Sequence, residues 1–383
     1  MSHRALALAD GERVPVVSVG AGGMGRAWLA VLEASDEVEL VGVVDLDEGA
    51  ARSAAAELGR ADLPVGPDAV ALAAGTGALA VVDVTVPAAH HPVTAAALRA
   101  GLPVLGEKPV AATLPQALSL AAAAEVTGEL FMVSQSRRWN PQVDLLRRLT
   151  GRLGGVGAVT TEFFRAPRFG GFREEMAHPL LVDMAIHAFD TARLVLGEEP
   201  VRVWCATGNP PWSWYDGDAS ASAVFTTAGG TTYGYTGSWC APGEETSWNG
   251  AWRVSGRLGT VRWDGDADPV ATLADGAPAT DAEGVDAELA APRSPHDGIA
   301  GALSVFVGAL RTGEAPSGEV HENVMSLAMV EAAVESAGSG AVVEVDDLLE
   351  RARRRAVADE RDPAVRDVLA GWSSVRAALR GEG

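Results

Sequence analysis

The sequence predicts an α/β fold of two domains, and three observations indicate it. The chain has 383 residues, more than one ordinary hydrophobic core accommodates. Up to about residue 136, short β-branched runs alternate with Ala-rich stretches of helical length, as in a doubly wound parallel sheet. From Arg137 onwards strands follow in series, which favours an α+β domain with a large, mostly antiparallel open sheet.

The first predicted domain spans residues 1–136. Its strands are continuous apolar runs, as expected for strands that are buried on both faces of a parallel sheet. Right-handed crossovers place the carboxyl ends of such strands on one edge, where ligands bind. The predicted strands are Val14–Gly20, Val38–Asp45, Ala78–Val86, Pro103–Gly106 and Leu130–Gln135, and the predicted helices are Met24–Ala34, Glu48–Gly59, Val93–Ala100 and Leu114–Thr127.

The second predicted domain spans residues 137–350, and an Arg-rich helix and tail spans residues 351–383. Residues 264–297 are acidic and rich in Ala, Gly and Pro, which favours a loop or weak strands. The predicted helices are Pro141–Leu149, Pro179–Leu196, Ile299–Thr312 and Val320–Ala337, and the predicted strands are Ala158–Arg165, Val201–Thr207, Ala219–Thr227, Thr231–Ser238, Ala251–Gly256 and Thr260–Asp264.

The net charge of the chain is −21. Such a charge repels phosphate backbones and anionic lipids, so neither nucleic acid nor a membrane is an expected partner. No apolar leader and no run of about 18 apolar residues is found, which indicates a cytoplasmic protein. The two cysteines lack the spacing of metal ligands, and no metal site is expected.

A glycine-rich segment follows the first predicted strand directly and has the pattern G-x-G-x-x-G. The pattern alone is weak in a chain with 44 glycines, but its position between a strand and a helix favours a Rossmann dinucleotide-binding domain. Gly20 permits the tight turn, Gly22 lets the backbone approach the pyrophosphate, and Gly25 lets helix and strand pack closely. The predicted cofactor loop contains Gly20, Gly22, Gly23, Met24 and Gly25.

Asp45 closes the next predicted strand, 20 residues after Gly25. A carboxylate at this position accepts hydrogen bonds from the adenosine ribose hydroxyls and repels a 2′-phosphate. The cofactor is therefore predicted to be NAD rather than NADP. An alternative remains if Arg52 lies nearby and neutralises a 2′-phosphate.

Lys108 is the only lysine of the chain, beside 29 arginines. It follows the strand Pro103–Gly106, on the edge where the nicotinamide is expected. Pro109 biases Lys108 towards an extended conformation. Because a lysine amine is compact and its pKa is readily shifted, its retention here indicates a catalytic role.

The predicted helix Pro179–Leu196 carries Asp183, His187 and Asp190. Residues four apart share a helix face, so Asp183 and His187 are expected to be neighbours. Oxidation of an alcohol needs a base for the hydroxyl proton, and histidine oriented by a carboxylate suits this near neutral pH. A zinc site that adds His178 to this pair is conceivable, but no spacing demands it.

Four segments together resemble the Gfo/Idh/MocA oxidoreductases, which include glucose–fructose oxidoreductase and inositol dehydrogenase. They are SVGAGGMG at 18–25, VTVPAAHHPVTAAALRAGLPVLGEKP at 84–109, QSRRWNP at 135–141 and LLVDMAIHAFDTARLVLG at 180–197. The resemblance extends from about Val14 to about Val345.

This resemblance implies roles for individual residues. Lys108, Asp183 and His187 match the catalytic lysine, aspartate and histidine, and the bond from Lys108 to its proline is often cis in relatives. It further implies that members pair their open sheets as dimers or tetramers. Residues matched to the cofactor segments are Val86, Pro87, His91 and Glu107, and Arg138 matches an arginine at the domain junction. The stretch Val86-Pro87-Ala88 departs from the usual family pattern, in which an asparagine follows Thr-Pro.

The substrate is predicted to be a small carbohydrate or polyol. The residues predicted to bind it are Lys108, Arg138, Trp139, Arg165, Asp183 and His187. Aromatic rings stack on sugars, and Trp139 lies at the domain junction, although tryptophans in an antiparallel sheet usually fill a core. Arg165, Arg168 and Phe169 end the first strand of the second domain and are candidates for a substrate rim or an ordinary solvated loop.

The leading interpretation is an NAD-dependent dehydrogenase of a sugar, inositol or related polyol. His187 would act as the base, Asp183 would orient it or the substrate, and Lys108 would stabilise the reacting oxygen. Two alternatives remain, namely a glycoside-processing enzyme that oxidises its substrate transiently with tightly held NAD, and a sugar- or dinucleotide-sensing regulator without catalysis.

Overall fold

The computed structural model describes residues 3–9 and 11–382. The chain divides into two compact units. The first unit contains the chain up to Ser136, the segment Gly298–Val324 and the C-terminal segment from Leu349. The second unit contains Arg137–Asp297 and Met325–Leu348.

The first unit is built on a six-stranded parallel sheet of order β3-β2-β1-β4-β5-β6. This order reverses direction between β1 and β4, which is the switch point of the Rossmann fold, and the predicted fold class is confirmed. The strands are β1 (Val14–Val19), β2 (Val38–Val44), β3 (Val65–Gly66), β4 (Ala80–Asp83), β5 (Val104–Glu107) and β6 (Phe131–Ser134).

Helices α1 to α5 connect these strands, and apolar side chains from both fill the core of the unit. The short β3 and α3 were not predicted. The fourth helix starts at Pro87, six residues before the predicted Val93, because proline loses no hydrogen bond in the first turn. The helices are α1 (Gly23–Ala34), α2 (Glu48–Glu57), α3 (Ala69–Thr76), α4 (Pro87–Arg99) and α5 (Leu114–Thr127).

The second unit is built on an eight-stranded sheet of order β13-β12-β11-β7-β10-β9-β8-β14. Its neighbours pair antiparallel except β7 and β10, which confirms the mostly antiparallel sheet. The strands are β7 (Val156–Phe164), β8 (Pro200–Gly208), β9 (Ser220–Thr227), β10 (Thr232–Ser238), β11 (Ala251–Gly256), β12 (Gly259–Trp263), β13 (Val270–Leu273) and β14 (Val343–Glu344).

One face of this sheet packs on a helix. Phe189 contacts Phe225 at 4.9 Å and Tyr235 at 5.4 Å between ring centroids, so aromatic packing seats the helix on β9 and β10. Residues 264–297 contain a strand and a helix rather than only a loop. The helices that lie wholly or partly in this unit are α6 (Pro141–Gly151), α7 (Ile186–Leu196), α8 (Ala279–Ala290), α10 (Val320–Ser339, from its sixth residue) and α11 (Val345–Asp359, up to Leu348).

The assignment of the later segments differs from the predicted domains 137–350 and 351–383. Helix α9 (Gly298–Thr312) contacts β6 and α1, and it therefore belongs to the first unit. Helix α12 (Pro363–Gly371) packs against α5, and α13 (Val375–Leu379) follows it. The apolar faces of these helices are visible in the sequence, but the partner that buries them is not.

No described helix is long and apolar enough to span a bilayer. Nor do the described residues contain a group of three or more His, Cys, Asp or Glu side chains that could hold a metal ion.

Candidate active site

The glycine loop lies between β1 and α1 in the geometry that a dinucleotide needs. Gly20 has φ +105°, and a Cβ on Gly25 would lie 2.0 Å from the carbonyl oxygen of Gly20. Both positions therefore require glycine. By contrast, a Cβ on Gly22 or Gly23 would meet no atom within 4 Å, and no side chain caps the start of α1. Open space above uncapped N–H groups suits a pyrophosphate.

Asp45 lies beside this loop, directly after β2. Its Oδ2 accepts a hydrogen bond from the Ala21 N–H at 2.8 Å, and its Oδ1 accepts one from the Asp47 N–H at 2.9 Å. The carboxylate is therefore fixed, with lone pairs left for ribose hydroxyls. Arg52, the alternative ligand for a 2′-phosphate, pairs with Glu48 on α2 at 2.5 Å. The residues present fit NAD.

Glu107 and Lys108 end β5 on the same sheet edge. Glu107 is buried, and burial raises the pKa of its carboxyl group. Its Oε1 accepts a hydrogen bond from Trp28 Nε1 at 2.8 Å, and its Oε2 accepts the Lys108 N–H at 3.1 Å. The Lys108–Pro109 peptide bond is cis. Glu107 thus fixes the backbone that carries the only lysine.

The residues of the segment after β4 differ in exposure and in hydrogen-bond partners. Val86 is 59% exposed and caps α4, which Pro87 begins. His91 Nε2 lies 3.0 Å from Ser119 Oγ on α5, and burial lowers the pKa of its imidazole. The adjacent His90, which the sequence did not single out, bonds instead to backbone at the sheet edge. His90 and His91 are adjacent in the sequence, and the motif alone does not indicate which of the two rings lies at the sheet edge.

In the second unit, the helix with the candidate base has a wide first turn. Leu180–Ala185 is π-helical, and α7 begins at Ile186. The predicted helix Pro179–Leu196 is therefore α-helical only in its second part, and the expected neighbour relation of Asp183 and His187 stays a prediction. Such π-helical turns occur frequently at functional sites. Asp183 Oδ2 accepts a hydrogen bond from Arg173 Nε at 2.7 Å, a partner that the sequence did not indicate.

Arg138 and Asp190 form a buried ion pair. The guanidinium Nη2 lies 2.6 Å from Asp190 Oδ1, with both side chains at most 2% exposed, and Ser326 donates to the same carboxylate. Burial alone raises the pKa of Asp190, but Arg138 and Arg193 hold it below its ordinary value. Asp190 is therefore committed to Arg138 and not to His187. This placement favours a structural role for Arg138 over the predicted contact with substrate.

The neighbouring Arg137 has a different environment. Its Nη2 lies 3.9 Å from Met184 Sδ, next to Asp183 in the chain. Burial lowers the pKa of Arg137 to about 10. Arg137 is therefore a second candidate in this segment, and the contact of Arg138 with substrate stays a prediction. Trp139 contacts the His296 ring edge-on at 6.4 Å between centroids.

An aromatic and guanidinium cluster follows the end of β7. Arg165 lies 4.3 Å above Trp248 and pairs with Glu245 at 2.6 Å, so its charge is compensated within the unit. Arg168 lies 3.9 Å above the ring of Trp214. The rings in contact within this cluster are those of Phe169, Trp214, Tyr215, Trp239 and Trp248.

Comparison with known proteins assigns the family. Residues 14–135 match the oxidoreductase family with an NAD-binding Rossmann fold, and residues 144–262 match the GFO/IDH/MocA C-terminal domain. The chain therefore belongs to the Gfo/Idh/MocA family of NAD-binding oxidoreductases.

Curated relatives include proteins of unknown and of named function. An uncharacterised protein, y4oX, of Sinorhizobium fredii is 29% identical over 88% of this chain and 97% of its own length. D-apiose dehydrogenase of Paraburkholderia graminis is 28% identical over 91% of this chain and 93% of its own. Inositol 2-dehydrogenase 1 of Saccharopolyspora erythraea is 34% identical over 50% of this chain and 56% of its own.

The fold also matches solved structures. An oxidoreductase from Agrobacterium radiobacter, solved with NAD+, L-tartaric acid and magnesium, superposes with a TM-score of 0.74. It is 19% identical, and the match covers 88% of this chain and all of that one. At this identity the match supports the fold alone.

Proposed function

We propose that this protein is an NAD-dependent dehydrogenase that transfers a hydride between a secondary alcohol of a sugar, inositol or related polyol and the nicotinamide. The observation that carries the proposal is the position of Lys108. Lys108 is the only lysine of the chain. It directly follows β5, on the sheet edge that also holds the glycine loop and Asp45. Relatives named as inositol and D-apiose dehydrogenases support the substrate class.

Three side chains have separate roles in the proposed hydride transfer. NAD, when bound, accepts the hydride at its nicotinamide ring. His187 takes the hydroxyl proton, and Asp183, held by Arg173, orients the base or the substrate hydroxyl. Lys108 donates a hydrogen bond to the reacting oxygen and stabilises its negative charge as the C–H bond breaks. The products are a ketone, NADH and a proton.

Other side chains are assigned to binding. The loop Gly20–Gly25 and Asp45 hold the dinucleotide, and the fixed carboxylate disfavours NADP because it repels a 2′-phosphate. Val86, Pro87 and His91 remain proposals as cofactor residues, together with Glu107. For the substrate we propose Arg137, Trp139 and the cluster around Arg165, since guanidinium groups and aromatic faces bind polyols.

The test is turnover by the purified protein with NAD and a panel of sugars and polyols, followed as NADH absorbance. Lys108→Met should lower kcat roughly 100- to 1,000-fold because the reacting oxygen loses its charged donor. The affinity for NAD should stay near that of the wild type, which shows that the variant is folded.

A control variant, Arg99→Ala, removes a cation on α4 that pairs with Asp362 and should leave kcat unchanged. Full activity of Lys108→Met would overturn the proposal. Product formation without added NAD, and without accumulation of NADH, would replace it by transient oxidation on tightly held cofactor.

We also propose that the protein forms homodimers or homotetramers through the outer face of the second unit's sheet. Trp204 on β8 and Val224 on β9 are cross-strand partners, and each is 44% exposed. Two large apolar side chains side by side on an open sheet favour burial against another copy.

A further inference from the structure

His90 is buried where the catalytic edge of the first unit is assembled. Only 2% of the residue is exposed. Its Nδ1 lies 2.7 Å from the carbonyl oxygen of Pro109, and its Nε2 lies 2.9 Å from that of Thr85. Carbonyl oxygens only accept hydrogen bonds, and a neutral imidazole donates from one nitrogen. The ring therefore satisfies both contacts only as an imidazolium.

The charges around His90 agree with this form. Two buried carboxylates, Asp83 on β4 and Glu107 on β5, interact electrostatically with the ring. Burial raises the pKa of Asp83, whereas the charge of His90 and hydrogen bonds from Thr85 and Thr94 oppose that rise. A buried cation beside two such groups is compensated, which a buried charge requires.

The two hydrogen bonds of His90 join two parts of the site. One holds the carbonyl of Pro109, while Glu107 holds the N–H of Lys108 at 3.1 Å. The backbone on both sides of the lysine side chain is thereby fixed by buried side chains. The other bond holds Thr85, in the loop that leads from β4 to α4.

We propose that His90 is a positioning residue, an imidazolium that fastens the Lys108–Pro109 turn to the loop after β4 and so orients the lysine amine for hydride transfer. The inference about orientation rests on the proposed function of Lys108. The protonation of the ring does not, and it is measured separately.

The kinetic test uses His90→Gln and a matched control, His321→Gln. His321 is also buried in the first unit, but it bonds to Glu125 and Glu319 rather than to the turn that carries Lys108. Both variants remove a buried cationic ring and should lose stability. Only His90→Gln should lower kcat, by on the order of 10- to 100-fold at a little-changed KM for NAD, because the amine loses its alignment. A kcat no lower than that of His321→Gln would overturn the proposal.

The second measurement is made on the wild type and does not need a variant of His90 to fold. The chain has seven histidines, so ¹⁵N-labelled rings are assigned by replacing the other six in turn. At the pH of the activity assay, both ring nitrogens of His90 should resonate as protonated nitrogens. One unprotonated nitrogen would overturn the imidazolium. If the wild type reduces no NAD, the proposed function and the kinetic role both fail, and this measurement still decides the state of the ring.

Discussion

At the scale of single residues, Asp45 is the proposed source of the preference for NAD over NADP. Its two oxygens already accept the N–H groups of Ala21 and Asp47, which leaves the carboxylate little freedom to turn away. A 2′-phosphate would therefore meet a fixed negative charge, and Arg52, the cation that the sequence offered for it, is paired with Glu48.

Asp45→Asn should reduce the preference for NAD over NADP. The amide keeps an acceptor for the loop but removes the repelling charge, which is worth about 1–2 kcal/mol, or roughly tenfold in the affinity ratio. Titration of both cofactors measures the ratio. Arg52→Ala is the control and should not change it; an unaltered ratio in Asp45→Asn would refute the role of the carboxylate.

The sequence predicted single residues well where a motif carried the chemistry. Gly20, Gly25 and Asp45 take the expected positions because strand, turn and helix N-terminus follow from local pattern. It did not separate neighbours in the chain that differ in their packing. Arg137 and Arg138 are equivalent in sequence, and only packing against Asp190 distinguishes them. The roles of Lys108, Asp183 and His187 stay predictions.

At the scale of elements, the turn that opens α10 is held to α5 by one histidine. His321 Nε2 lies 3.0 Å from Glu125 Oε1, and Nδ1 lies 2.7 Å from Glu319 Oε1. Burial alone lowers the pKa of His321, but the hydrogen bonds and charges of the two carboxylates raise it to about 9. The imidazolium therefore joins the two helices in the folded state.

This pair of bonds predicts a pH dependence of stability. The folded pKa exceeds that of an unfolded histidine, about 6.5, so the contribution is fully present below pH 6.5 and is lost as the pH rises through about 9. It amounts to about 3 kcal/mol by linkage. The free energy of unfolding should fall between pH 6 and about 9 in the wild type and fall less in His321→Gln. Parallel curves for the two proteins would contradict the assignment.

The elements that the sequence missed share a physical cause. A two-residue strand such as β3 has no periodicity to detect, and α4 contains Pro92, a residue that is uncommon inside a helix. The π-helical turn Leu180–Ala185 has the amino-acid composition of an α-helix. Its backbone hydrogen bonds span five residues instead of four, and this pattern depends on the surrounding structure.

At the scale of the whole molecule, the proposed assembly depends on the outer face of the second unit's sheet. Trp204→Asp places a charge beside Val224 and should convert the oligomer to monomers, because an unpaired charge is costly to bury. Sedimentation equilibrium measures the mass. Trp212→Asp, at a residue 63% exposed and outside the strands, is the control. A monomeric wild type would refute the assembly.

The first unit is built from three segments that are separate in the sequence, which affects how it folds during synthesis. Helix α5 emerges early during synthesis, but the helix that covers it, α12, includes Val365 and Leu369, near the end of the chain. Until more than two hundred further residues have been added, the apolar surface of α5 lacks its cover. The NAD-binding unit therefore completes its folding only after α12 has been synthesised, and a chain that stalls earlier would expose this surface to chaperones and proteases.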